Sequence, residues 1–389
     1  MYKIRTYNTI SAKGLSRFPK ETYSVSASCA DPEAFMLRSQ KLHAEVVPDS
    51  LLAVARAGAG VNNIPVSDYT QQGIVVFNTP GGNANAVKEL VVAGLLLGSR
   101  DIYGGMNYVQ ALNKVDDGAA LSKLLEHEKK RFSGTEISGK TLGVIGLGAI
   151  GSIIANLGLE LGMDVIGYDP AISVEAAWQL SSLVERMENL EALLARADFV
   201  TLHVPAIPAT KHLVNAKTLA GMKKTARILN FAREEIVSTD DMVAALDHGV
   251  IAGYISDFPA PELIGRNDVL LMPHIGASTT EAEENCVVMA ANQLKDFLEN
   301  GNIHNSVNYP STKMSRNGGC RITFNNHNVP KVLGNVLSIL AEAELNVVDM
   351  VNKSRGGIAY NIIDVEGDLF DDLKNQISAV DGVMRVRFI

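Results

Sequence analysis

Runs of four to six apolar residues recur along most of the chain, separated by longer stretches with helical spacing. Such alternation predicts an α/β architecture built on buried, parallel strands. In the first hundred residues it predicts strands near Lys3–Tyr7, Tyr23–Ser26, Leu52–Arg56 and Ile74–Asn78, then a helix from Ala84 through Leu97. Asn113 to Phe132 is polar and helix-prone, as expected of a segment bridging two units. The strand pattern restarts at Thr141–Ile145 and continues at Asp164–Tyr168, Phe199–His203, Arg227–Asn230, Ile251–Ser256 and Val269–Met272. A helix over Glu281–Asn300 follows, long enough to pack back on the first unit. Pro310 to Gly319 has the composition of a linker. Beyond it, Arg321–Phe324, a helix near Lys331–Ala343, Val347–Asn352, Tyr360–Val365, a helix near Leu369–Ser378 and Arg385–Phe388 form a βαββαβ string. The expected fold is two doubly wound parallel-sheet domains followed by a small ferredoxin-like one.

At 389 residues the chain exceeds one ordinary core, in keeping with two or three domains. A hydrophobic content of 47% and a charged content of 20% mark a globular protein and exclude extensive disorder. The net charge of -8, with no basic stretch, argues against nucleic acid as a partner. It also requires any anionic substrate to be held by a few local cations and helix ends. Cys29, Cys286 and Cys320 are far apart and form no metal-ligand spacing, so reduced thiols and no metal are expected. Met1–Arg5 alternates like a strand and shows no signal pattern, which points to the cytoplasm. The uncharged run Thr141–Leu159 has the length of a membrane span, but its glycines at 143, 146, 148, 151 and 158 suit a buried strand-turn-helix, and no membrane is expected.

Gly146-Leu147-Gly148-Ala149-Ile150-Gly151 is a GxGxxG motif placed after a predicted strand and opening a predicted helix. The first glycine permits a tight turn, the second lets a pyrophosphate approach the backbone, and the third lets helix and strand pack closely. The phosphates would rest on the helix N-terminus. Asp169 ends the next strand, near the offset of about 20 residues expected for a ribose-binding acid. A carboxylate there accepts from the ribose hydroxyls and repels a 2′-phosphate, so NAD is favoured over NADP. In a doubly wound sheet ligands bind beyond the carboxyl ends of the strands. Those ends carry the glycine loop, Asp169, His203-Val204-Pro205, Phe231-Ala232-Arg233, Asp257 and His274.

Oxidising a 2-hydroxy acid requires a cation for the carboxylate, a base for the hydroxyl proton and a nicotinamide against C2. Arg233 suits the first role through its planar guanidinium. His274 suits the second, since imidazole titrates near neutrality. Glu262 is placed to orient His274 and stabilise its charged form. Each has a plainer account as a surface ion-pair residue, a loop acid or a turn cap. Gly139 to Gly148, Phe231 to Val237 and Pro273 to Thr279 together resemble the signature of the D-2-hydroxyacid dehydrogenase family, in its order and over essentially the whole chain. The resemblance implies that Arg233, Glu262 and His274 are the catalytic triad, and that Thr79 and Gly276 join the strand-end residues around NAD. Glu234 and Glu235 stand where the family often has glycines.

Arg56-Ala57-Gly58 and the run Asn78 to Asn83 resemble substrate-domain loops of the family's phosphoglycerate-oxidising members. By that resemblance Arg56, Ala57, Gly58, Gly81, Gly82 and Asn83 would meet a phosphorylated 2-hydroxy acid together with Arg233 and His274, in the first step of L-serine synthesis. Asn328-Val329-Pro330 and Asn346 resemble an ACT regulatory domain, which implies contacts of Asn326, Asn328 and Asn346 with an L-serine effector and pairing into a homodimer or homotetramer. Asn326 stands where a histidine is common, and Lys331 replaces a glycine. The expected domains are residues 1–98 with 281–310 for substrate, 99–280 for NAD, and 318–389 for regulation. Other 2-hydroxy acids (hydroxypyruvate, glyoxylate, 2-hydroxyglutarate) or a non-catalytic NAD sensor fit the same motifs, and the need for Arg56 separates the first group.

Overall fold

The computed structural model describes residues 1–113 and 115–389. Lys114, inside the expected 113–132 segment, lies outside them. The chain divides into two compact units, Met1–Asn83 with Thr280–Ile389, and Ala84–Thr279.

In the first unit β1 (Tyr2–Thr6), β2 (Tyr23–Ser26), β3 (Ala34–Leu37), β4 (Ala53–Arg56) and β5 (Val75–Phe77) form a parallel sheet in the order β2-β1-β3-β4-β5. β3 was not expected. Its Ala-Phe-Met-Leu run lacks β-branched residues and alternation, because β1 and β4 flank it and both of its faces are buried. Full burial of Phe35, Met36 and Leu37 contributes roughly 1.5–3 kcal/mol each. The helix Thr280–Asn300 packs Val287, Ala290, Leu294 and Phe297 into the same core as Ile4, Ala53 and Phe77.

In the second unit β6 (Thr141–Ile145), β7 (Asp164–Tyr168), β8 (Glu185–Arg186), β9 (Phe199–Leu202), β10 (Arg227–Asn230), β11 (Gly253–Ser256) and β12 (Val269–Leu271) pair in parallel, in the order β12-β11-β10-β9-β6-β7-β8. β6 neighbours both β7 and β9, so the chain reverses its winding there. This is the place where doubly wound sheets hold ligands. The run Thr141–Leu159 is β6 followed by the helix Gly151–Glu160, and among the described residues no helix is long and apolar enough to cross a membrane. The helix Ala84–Ser99 belongs to this unit and not to the first, earlier than the expected boundary at 98. Val87, Val91 and Leu95 share a core with Leu229, Phe231 and Ile255. Gly94 makes that packing close, since a Cβ there would stand 3.0 Å from the Phe231 ring. The polar segment forms the helix Gly118–Glu128 within this unit, after a helix Ile102–Ala111, and neither has a buried residue among those described.

The chain ends in an antiparallel sheet, β13 (Cys320–His327), β14 (Asn346–Arg355), β15 (Ile358–Glu366) and β16 (Val383–Phe388), ordered β14-β15-β13-β16. One face carries the helices Val332–Glu342 and Asp371–Ser378 over Ile322, Phe324, Ile363 and Val365. The other face sends Ile358, Tyr360 and Ile362 into the core of the first parallel sheet. This explains why both chain segments form one unit. Arg387 donates to Phe297 O and Leu298 O at 3.2 and 3.0 Å and lies over the Phe297 ring at 4.6 Å. Carbonyls near a helix C-terminus favour a cation, while burial lowers the Arg387 pKa.

Pro310–Gly319 is a tethered segment, not the free linker its composition suggests. Thr312 pairs with Ile303, Met314 is buried, and Met314 N donates to Asn302 Oδ1 at 3.0 Å.

Candidate active site

The parallel strands of the second unit release the expected residues along one edge of the sheet. Gly146 takes φ +88°, and a Cβ there would lie 2.6 Å from His203 O. A Cβ on Gly151 would lie 1.8 Å from Gly146 O, so the third glycine allows the helix to begin against the loop. Gly148 faces open space, with no atom within 4 Å of a built Cβ. No side chain caps the Gly151–Glu160 helix, Ile150 stands at its N-cap, and its first turn has no acid. Gly148 and Ala149 are exposed. An open, uncapped helix N-terminus approached by glycine suits a pyrophosphate.

Asp169 lies beside this loop. Its Oδ2 accepts from Leu147 N at 2.8 Å and its Oδ1 from Ala171 N at 2.9 Å. Each oxygen keeps lone-pair capacity for a ribose hydroxyl. His203 directly follows β9 with Nε2 2.8 Å from Thr201 Oγ1, and Val204 and Pro205 come next. Burial drops the His203 pKa to about 3. An unfolded chain would bind this proton near pH 6.5, so His203 makes folded stability fall as the pH drops from about 6.5 towards 3. The His203 ring resonances should stay flat between pH 8 and 5 in an NMR titration. An inflection near pH 6 would contradict a neutral, buried imidazole.

The turn Phe231-Ala232-Arg233 is shaped by Asn230, which is fully buried. Its Nδ2 donates to Arg233 O at 2.9 Å and its Oδ1 accepts from Ala232 N at 3.2 Å. Arg233 Nη1 donates to Ala232 O at 2.6 Å, leaving other donors of the guanidinium for a ligand. Asn230 was not singled out from the sequence, although its place at the end of a strand was a usable signal.

Asp257 serves the backbone. It is buried, with Oδ1 and Oδ2 accepting from Ile275 N and Gly276 N at 2.8 and 2.7 Å. Its carboxylate therefore holds the loop that carries His274. Gly276 is buried there, where a Cβ would come 3.0 Å from Asp257 Oδ2. His274 is exposed, adopts φ +59°, and sets its ring against Phe258 with centroids 4.9 Å apart.

Glu262 departs from expectation. Among the described residues no hydrogen bond or ion pair joins it to His274. Pro261 starts a short 3-10 turn that buries Leu263 and leaves Glu262 exposed.

In the first unit, Arg56 closes β4 and donates from Nε to Arg38 O at 3.0 Å and from Nη1 to Gly60 O. Ala57 and Gly58 follow, and Gly58 exchanges hydrogen bonds with buried Thr79, at 2.7 Å to Oγ1 and 3.1 Å from Thr79 N. Gly81 has φ +83°, Gly82 lies against Cys286, and Asn83 Oδ1 is buried without a protein partner. Arg38 was missed because its strand was missed. It follows β3 directly, and the register Leu37↔Arg56 puts it beside Arg56 at the same sheet edge.

The three asparagines of the last domain are separated by environment. Asn326 is buried, donates to His327 O at 2.6 Å and accepts from Asn361 at 2.8 Å. It stands within β13, where Asn361 already donates to its side-chain oxygen. Asn328 and Asn346 are exposed, donating to Gly356 O at 3.2 Å and Glu366 Oε2 at 3.0 Å.

Residues 105–276 match the family model for the NAD binding domain of D-isomer specific 2-hydroxyacid dehydrogenases. The chain is 33% identical over 351 residues to the D-3-phosphoglycerate dehydrogenase of Haemophilus influenzae, covering 87% of this chain and 81% of that one. It is 39% identical over 287 residues to the D-3-phosphoglycerate dehydrogenase of Synechocystis sp., covering 72% of this chain. The chain spans about half the length of that relative, 49%. Its fold is shared with the NAD+-bound 3-phosphoglycerate dehydrogenase of Entamoeba histolytica, at TM-score 0.62 and 24% identity over 79% of this chain and 98% of that one.

Proposed function

The chain belongs to the D-isomer specific 2-hydroxyacid dehydrogenase family, and from that premise we propose that it oxidises 3-phospho-D-glycerate to 3-phosphooxypyruvate with NAD, opening L-serine synthesis. The observation that carries the substrate is the pair of guanidinium groups, Arg38 and Arg56, at the ends of adjacent strands. A simple 2-hydroxy acid has one anionic group, which Arg233 can grip. A further pair of cations suits a second anion, and phosphate carries about -1.5 to -2 charge with three acceptor oxygens. Relatives named D-3-phosphoglycerate dehydrogenase agree with this substrate.

The glycine loop and Asp169 would hold NAD, which when bound supplies the hydride acceptor. Arg233 binds the substrate carboxylate and polarises the C2 oxygen, where negative charge develops. His274 removes the hydroxyl proton as the C2 hydrogen leaves with its electron pair, and C2 becomes a carbonyl. Asp257 acts one step back by fixing the backbone after His274. Glu262 would support His274 only after the 261–263 turn rearranges.

Three further parts belong to the same proposal. Residues 1–83 with 280–310 serve substrate and 84–279 serve NAD. The βαββαβ segment is an ACT domain taking L-serine at Asn328 and Asn346. The protein is a homo-oligomer, supported by the exposed apolar Tyr103, Met106 and Val109 on one helix. Free thiols at Cys29, Cys286 and Cys320 accord with a reducing cytoplasm.

The test follows NADH consumption with 3-phosphohydroxypyruvate, hydroxypyruvate and glyoxylate, each with and without L-serine. The phosphorylated substrate should be preferred at least about tenfold in kcat/KM, the worth of one good charge-assisted contact. Equal rates would reject the phosphorylated substrate. Indifference to serine would leave the last domain without its proposed effector.

A further inference from the structure

Of the two cations assigned to the phosphate, Arg38 is held by a carboxylate. Arg38 Nη2 and Nη1 donate to Glu283 Oε1 and Oε2 at 2.5 and 3.1 Å, in a two-point fork. The arginine backbone is fixed independently. Arg38 N donates to Asn8 Oδ1 at 3.3 Å, and Arg38 O accepts from Arg56 Nε and from Asn63 Nδ2 at 3.0 and 3.3 Å. The side chain alone can therefore change partner.

Both side chains reach solvent, at 36% exposure for Arg38 and 46% for Glu283. A pair so exposed is weak and open to displacement by another anion. Glu283 lies in the first turn of the 21-residue helix Thr280–Asn300, where the helix dipole favours a carboxylate. The next acid, Glu284, is occupied by Lys13 at 2.5 Å. Glu283 is thus a fixed carboxylate that competes with any ligand for Arg38.

We propose that Glu283 is a specificity-determining residue that makes Arg38 available to a phosphate but not to a carboxylate. The proposal rests on the reading that Arg38 and Arg56 hold the substrate's phosphate. A phosphate dianion exceeds Glu283 in charge and in acceptor oxygens, and so displaces it. A substrate ending in a second carboxylate only matches Glu283 and gains little. The carboxylate costs some phosphate affinity and in return rejects dicarboxylates, a use of competition to create discrimination.

The test compares wild type, Glu283→Gln, Arg38→Ala and the double variant by steady-state kinetics with 3-phosphohydroxypyruvate and 2-oxoglutarate. Glu283→Gln should lower KM for the phosphorylated substrate about two- to fivefold, the range expected on freeing a cation from an exposed pair. It should lower KM for 2-oxoglutarate by a larger factor, and the effects should lie in KM and not in kcat. Both gains should vanish when Arg38 is alanine. An unchanged or raised KM in Glu283→Gln, or a gain that persists without Arg38, overturns the role of Glu283. If Arg38→Ala leaves KM for the phosphorylated substrate unchanged, the phosphate assignment itself fails, which is a separate result.

Discussion

Replacing His274 by alanine should lower turnover by roughly 10²–10⁴-fold, the usual worth of a positioned general base. The proton of the C2 hydroxyl has to leave as the carbonyl forms, and the exposed imidazole of His274, in the loop after β12, is the group placed to take it. Alanine also changes the backbone, since His274 sits at φ +59°, a region costly for alanine. His274→Asn separates the two effects because asparagine tolerates that conformation but cannot act as the base. Both variants should lose turnover while still binding NADH, as read by its fluorescence. Normal turnover in His274→Asn would remove His274 from the mechanism. Loss of NADH binding in both would instead mark a collapsed loop, with Asp257 no longer holding Ile275 and Gly276.

The second large effect concerns stability. Arg321 and Asp364 form an ion pair with almost no exposure, 0% and 1%, with Nε–Oδ1 at 2.6 Å and Nη2–Oδ2 at 2.8 Å. The remaining donors of the guanidinium reach Asn300 O, Met314 O and Ser315 O at 2.8, 3.1 and 3.0 Å. One side chain thus ties β13 to β15, to the end of the long helix and to the tethered segment. Arg321→Ala would leave a buried carboxylate and three carbonyls without their donor, and should cost about 3–5 kcal/mol. The shift would be read from the urea-unfolding midpoint. Replacing both partners by apolar residues of similar size, Arg321→Met with Asp364→Leu, should recover much of that loss, because removing both charges also removes their desolvation cost. A single variant within about 1 kcal/mol of wild type would show the pair to be no more than a surface bridge in effect.

Much of the architecture was legible in the order of residues. Apolar runs separated by helical stretches imply parallel strands, and a parallel strand needs a crossover before its neighbour. The glycines at 146, 148 and 151 were readable because each answers a local backbone demand. Strand ends were readable too, so the order of residues alone gathers Asp169, His203, Arg233, Asp257 and His274 on one edge. The βαββαβ order of the last domain followed from the same spacing.

Other features depended on partners far away in the chain. β3 is a strand only because β1 and β4 cover both its edges, and with it Arg38 arrives beside Arg56. Arg38 and Glu283 are 245 residues apart, so no local pattern announces their pairing. The role of Asp257 turned on two backbone N–H groups that reach it across 18 and 19 residues. Asn326 reads as a ligand residue by position, yet Asn361, from the neighbouring strand, claims its amide in a buried site. Pattern and backbone preference are local and survive in the sequence. Which side chain answers which is settled by burial, where an unpaired polar group is costly and the nearest partner in space is taken.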